Sequence, residues 1–288
     1  MTAAATVRLV EASNAIMRCL TLVLCLPALL VAQDAQEIVR KALMDDTRST
    51  AAAQNYTYLE HLEVRTQEGG GKYKTRQNET HDITLLEGSP YRRLVEVYGK
   101  PLNAKEQAKE DQRLRQSIED RRHETEAQKQ QRIADWRRKE EKQHEPLHEV
   151  PDAFILRMAP DEKLDGRDVY VIDATPKPGY QPKTKTAFFL PKVKLRMWIA
   201  KQDYQCVKVE FETLETISWG GVVARVAKGT HLRVELARVN DEVWLPKRIL
   251  LSGSARIMLV KGFTGQIDLS YSDYKKFSAE SRVVSVEQ

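Results

Sequence analysis

Between Leu164 and Phe211, apolar and polar positions alternate with a period of two in three successive runs. Val169, Val171 and Asp173 alternate with Tyr170, Ile172 and Ala174; Leu195, Met197 and Ile199 with Arg196 and Trp198; Val207, Val209 and Phe211 with Lys208 and Glu210. This pattern predicts antiparallel strands with one face buried and the other wetted. Upstream, Asn55–Thr66 carries Tyr56, Tyr58, Leu62 and Val64 on one face, and three glycines at 69–71 turn the chain into a partner strand over Lys72–Leu86. Gly88-Ser89-Pro90 turns it again, into a strand over Tyr91–Tyr98. Downstream, Phe154–Met158, His231–Val239, Arg248–Val260 and Gly265–Tyr274 read as strands, with turns at 240–242 and 262–265, and Pro246 favours a strand end or edge. About eight to eleven strands with regular turns predict an α+β fold: a strongly curved antiparallel sheet or unclosed β-barrel with covering helices.

Two stretches change period. Asp34–Arg48 places Ile38, Ala42 and Leu43 at helical spacing, with Asp34 and Glu37 as a capping pair. The segment 103–145 opens with Asn103-Ala104-Lys105-Glu106 and has no glycine or proline. From Leu102 to Glu145 there are twelve basic and eleven acidic residues and few apolar ones: Leu114, Ile118, Ile133 and Trp136. It reads as one long charged helix or a helical hairpin inserted in the sheet, either a projecting arm or lid or a solvated spacer.

The N-terminus bears on compartment. Met17-Arg18 precedes an apolar run from Cys19 to Ala32, too short to span a bilayer and interrupted by Pro27, which reads as a secretory signal peptide cut after Ala32. Translation is expected to begin at Met17, leaving one domain over 33–288. Loss of Cys19 and Cys25 leaves Cys206 alone, so the exported chain is expected to rest on its core without a disulfide. The excess of five positive charges, 46 basic against 41 acidic residues, is spread along the chain and argues against a nucleic-acid partner.

One string spells a zinc-protease motif, His144-Glu145-Pro146-Leu147-His148. That chemistry needs both imidazoles one turn apart on a continuous helix, and Pro146 disfavours such a helix by about 3 kcal/mol. His144 and His148 are therefore the weakest metal candidates, and a zinc hydrolase is the last of three readings. No nucleophile elbow, phosphate loop or dinucleotide fingerprint is present, and no cofactor is expected. What stands out is a set of ring-bearing and aliphatic side chains expected on the inner face: Tyr56, Tyr58, Leu62, Trp198, Phe211, Trp244 and Tyr271. They read as packed core or as the lining of an apolar cavity for an acyl chain.

The order of these elements resembles the periplasmic LolA/RseB-like superfamily. The stretches that carry the resemblance are DAQEIVRKAL followed by YTYLEHLEVR, then EGSPYRRLVEV, LDGRDVYVIDATPK, MWIAKQDYQCVKVEFE, VWLPKRI and YSDYKKF, spanning Asp34 to Phe277. The resemblance implies an unclosed antiparallel barrel whose concave face is plugged by helices, a periplasmic location and a non-enzymatic role as a carrier of lipid, acyl chain or lipoprotein segment, in outer-membrane lipoprotein sorting. It implies transient membrane contact at most. The alternative is an envelope sensor or interaction module that meets a protein partner through 103–145, a segment outside the superfamily's pattern.

Overall fold

The computed structural model describes residues 35–44, 52–219, 224–257 and 261–277. The expected signal peptide and its cut, and the capping role of Asp34, lie outside the described residues. Among the described residues, thirteen strands form one antiparallel sheet: β1 (Tyr56–Gln67), β2 (Tyr73–Leu86), β3 (Ser89–Val97), β4 (Lys100–Pro101), β5 (Phe154–Leu164), β6 (Arg167–Pro176), β7 (Val193–Ala200), β8 (Cys206–Thr213), β9 (Ile217–Trp219), β10 (Ala224–Val226), β11 (His231–Val239), β12 (Val243–Ile257) and β13 (Lys261–Lys276). The order is β4-β3-β2-β1-β13-β12-β11-β8-β7-β6-β5, with β10 against β12 and β9 against β10. The sheet is curved and does not close into a barrel.

Register explains why the inner face is apolar. Leu62, Leu269, Ile249, Val234, Val209, Met197 and Ile172 stand directly opposite one another across β1, β13, β12, β11, β8, β7 and β6. Val64, Ile267, Leu251, Leu232, Phe211, Leu195 and Ala174 form a second such row. Directly paired residues share a face, so the period-2 patterns of seven strands add up to one apolar floor. The floor is buried at its β6–β7 end and half-buried from β8 to β1.

A helix over residues 35–44, α1, covers the buried end. Ala35, Ile38, Val39 and Ala42 point one face at Phe154, Leu156, Ile172, Leu195 and Met197, the spacing expected of an amphipathic helix. The outer face is also buried here: Val169, Val171, Trp198, Ala200, Val207 and Trp244 form a second cluster. The wetted outer face expected for β6 is therefore confined to its ends, where Arg167 and Thr175 are exposed.

The charged insertion is a hairpin. Helix α2 (Ala104–Arg122) begins in a complete capping box, Asn103 Oδ1 accepting from the amides of Lys105 and Glu106 while Glu106 accepts from the amide of Asn103. Helix α3 (Glu126–His144) begins in another, built by Thr125 and Gln128. The second box, whose N-cap Thr125 lies three residues past the end of α2, breaks what would otherwise be one helix.

Two turn expectations are corrected. Residues 262–265 lie inside β13, paired with 253–256; Gly265 is needed because a Cβ there would lie 1.9 Å from the Arg65 carbonyl oxygen. Pro246 lies within β12, a central strand, at a bulge between the Glu235–Arg248 and Leu236–Pro246 pairs, where the missing N–H breaks no regular ladder.

A tyrosine-lined cleft beneath a helical strap

Helix α3 crosses the inner side of the sheet from one of its ends toward the other. At its start the hairpin elbow is pinned to the β2–β3 turn. Arg121 donates to the carbonyls of Leu86, Ser89 and Pro90, and Arg132 to Ser89 Oγ, the Glu87 carbonyl and both oxygens of Glu124. Lys129 pairs with Glu87 at 2.9 Å, and Arg93 with Asp111. At its far end the chain runs through Pro146 into the buried Glu149. That carboxylate accepts from Tyr180 Oη at 2.6 Å, the amides of Lys183 and Thr184, and Thr184 Oγ1. Burial pushes Glu149 toward the neutral acid, but these bonds outweigh it and hold the group below the usual glutamate range.

Between these anchors, Trp136, Lys139, Glu140 and His144 of α3 form the roof of a cleft of about 730 Å³. Its floor is Tyr56, Tyr58 and Glu60 of β1, Ile83 and Leu85 of β2, and Tyr271 and Tyr274 of β13, with Trp244 and Leu245 at one end. Tyr58 meets Tyr271 edge-on at 5.7 Å and Tyr274 at 5.3 Å between ring centroids. Tyr274 is on this side because Asp273 takes a left-handed turn, φ 55°, at a register shift between β1 and β13; simple alternation from Tyr271 places it on the other face. Burial, with Glu60 nearby, pushes the Tyr58 phenol up to about 12, and burial likewise raises Tyr271 and Tyr274. All three are therefore neutral hydroxyls at physiological pH.

Of the side chains singled out in the sequence, Tyr56, Tyr58, Trp244 and Tyr271 meet around this cleft. Leu62 and Phe211 sit on the same inner face, in the two floor rows. Trp198 does not: it is directly opposite Lys208 on the outer face, with the Lys208 ammonium 3.9 Å from its ring and its indole N–H donated to Glu162 at 2.9 Å. Trp136 and Tyr274 join the lining, as do the arginines of the clamp; Trp136 was visible in the sequence as one of four apolar positions on a charged segment, whereas nothing marked Arg121 or Arg132 among twelve basic residues there.

The HExxH string is divided by its proline. His144 ends α3 and His148 lies in a 3-10 turn over Glu145–Glu149, while the Glu145 carboxylate accepts from Thr186. The two imidazoles thus do not share one continuous α-helix, and no cluster of three metal-ligating side chains occurs among the described residues.

No family model matches the chain, and no curated protein does. Solved structures do. A domain named for outer-membrane lipoprotein sorting from Vibrio parahaemolyticus aligns over 82% of this chain and 92% of its own at 12% identity, with a TM-score of 0.35. A LolA superfamily protein from Nitrosomonas europaea aligns over 85% and 94% at 13% identity and a TM-score of 0.29. A DUF1329 family protein from Desulfovibrio piger aligns over 85% and 93% at 9% identity and a TM-score of 0.32. At TM-scores of 0.35 and below, these likenesses carry no argument about what this chain does. An unclosed antiparallel sheet with helices across its inner side is the architecture that the resemblance to the LolA/RseB-like superfamily implied.

Proposed function

We propose that the protein is a non-enzymatic carrier of the bacterial periplasm that shelters an apolar chain, the acyl chain of a lipid or lipoprotein, on the inner face of its sheet. The observation that carries this reading is the continuity of apolar surface. Half-buried aliphatic rows from β8 to β1 run into a ring-lined cleft whose volume falls in the roughly 300–1,000 Å³ range of small-molecule sites. Each methylene withdrawn from water onto such a surface contributes about 0.8 kcal/mol. No helix among the described residues is long and apolar enough to cross a membrane, and transient contact with a membrane suffices for a carrier of this kind.

The test is native mass spectrometry of the chain from Gln33 onward, isolated from the periplasm without detergent. A discrete added mass matching a lipid supports the carrier; a bare chain that also fails to take up lipid from vesicles ends it. A second reading, an envelope interaction module, is favoured by the exposed charged outer faces of α2 and α3. It predicts a protein partner lost on deletion of 103–145 while the sheet remains folded.

A further inference from the structure

The cleft is rich in hydrogen-bond donors that no protein group uses. Tyr56 gives its hydroxyl to Glu242, and Tyr274 donates to the Pro246 carbonyl at 2.5 Å. Tyr58 and Tyr271 line the same cleft, and their hydroxyls have no protein partner among the described residues; the indole N–H of Trp136 and the ammonium of Lys139 have none either. Three neutral donors thus line one cleft, from β1, β13 and α3. On the wall, Glu60 is held by Arg92 at 2.7 Å and Arg132 by Glu124 at 2.6 Å; Arg121 is held by the carbonyls of Leu86, Ser89 and Pro90, and Lys139 and Glu140 make no ion pair among the described residues. A fully hydrocarbon guest leaves these donors without acceptors wherever it displaces water, at a cost comparable to the binding it gains.

Resting on the carrier reading, we propose that this cleft selects amphiphiles whose alkyl chain ends in a carbonyl head, an acyl ester or a long-chain carboxylic acid. The carbonyl oxygen accepts from Tyr58, Tyr271 and Trp136, and the chain lies on the floor formed by Leu62, Leu269 and Ile249. The two sources of such a head, free acid and ester, share the acceptor and differ in charge.

The experiment uses three fluorescent probes on the chain from Gln33 onward: cis-parinaric acid, its methyl ester and diphenylhexatriene, a hydrocarbon with no acceptor. Wild type is compared with Tyr58→Phe, Tyr271→Phe and the double variant, which keep the rings and remove only the hydroxyls. The expected result is weaker binding of the acid and the ester, by about fivefold per hydroxyl lost, with diphenylhexatriene bound as tightly or more tightly because fewer donors are stranded, which also shows that the variants are folded. Equal losses for acid and ester assign recognition to the carbonyl; a loss confined to the acid overturns the neutral-donor assignment. If all three probes bind wild type and the Phe variants alike, the head-group inference is wrong and the carrier reading stands. If no probe binds wild type, the carrier reading itself fails.

Discussion

A side chain at Gly88 would place its Cβ 2.8 Å from Cδ1 of Ile133. Gly88 turns β2 into β3 with a φ of +84°, and Ile133 lies on the face of α3 that meets that turn. The fit joins hairpin and sheet through an aliphatic contact, at the point where Arg121 and Arg132 supply the polar ones. Replacing Gly88 by valine combines left-handed strain with a clash against Ile133. The expected cost is about 1–3 kcal/mol, with faster amide exchange in α2 and α3 and a red-shifted Trp136 emission; unchanged exchange in the two helices contradicts this role for the contact.

The strap is anchored unequally. Its β2–β3 end is held by partly exposed ion pairs and hydrogen bonds, which salt screens, and its other end by the buried Pro146, Glu149 and Val150. Cysteines at 87 and 129, in a Cys206→Ser background, allow the Lys129–Glu87 contact to be replaced by a short bis-maleimide link. Cross-linking is expected to slow parinaric acid uptake several-fold, whereas the unlinked double-cysteine protein loads at the wild-type rate. Equal loading rates with and without the link show that the cleft fills without release of this end.

Glu149 makes stability depend on acid. Its carboxyl is held below the value it has in the unfolded chain, so its contribution is fully present above about pH 4.5 and is lost as pH falls through the folded value. Glu149→Ala strands the amides of Lys183 and Thr184 and the Tyr180 hydroxyl, and is expected to cost about 2–3 kcal/mol at neutral pH. Thermal melts from pH 7 to pH 3 check the sign: the gap between wild type and variant narrows on acidification. A gap that widens assigns Glu149 the opposite shift.

Trp198 and Tyr58 separate core from cleft. Trp198 is 4% exposed and packs with Val169, Val171 and Val207 on the outer face, so Trp198→Ala is expected to cost about 3–5 kcal/mol of stability. Below the melting temperature it leaves probe affinity unchanged. Tyr58→Phe is expected to do the reverse, and chemical denaturation run beside probe titration distinguishes them. A loss of probe affinity in folded Trp198→Ala moves the ligand surface to the other face.

Much of this protein is determined locally. Strand alternation over 169–174, 195–199 and 207–211 is written in residue type, because a pleated strand turns successive side chains to opposite faces. The Asn103–Glu106 capping box is equally local, since its bonds join residues three apart. Tertiary structure decided what those elements face. Whether the outer face of β6 is wet depends on Trp198 and on Trp244, which lies in a strand that is not its neighbour; whether Gly265 turns or packs depends on the Arg65 carbonyl, two hundred residues away in the chain. The Asp273 bulge moves Tyr274 to the side of Tyr58, which no period-2 count anticipates. The insertion 103–145 shows the division most clearly: its composition specifies helix, because propensity and capping act within a turn or two, but its course across the cleft is set by Arg121, Arg132 and Glu149 binding backbone groups on distant turns. Carbonyls and amides are common to every residue, so no side-chain pattern marks them as partners until the fold brings them within reach.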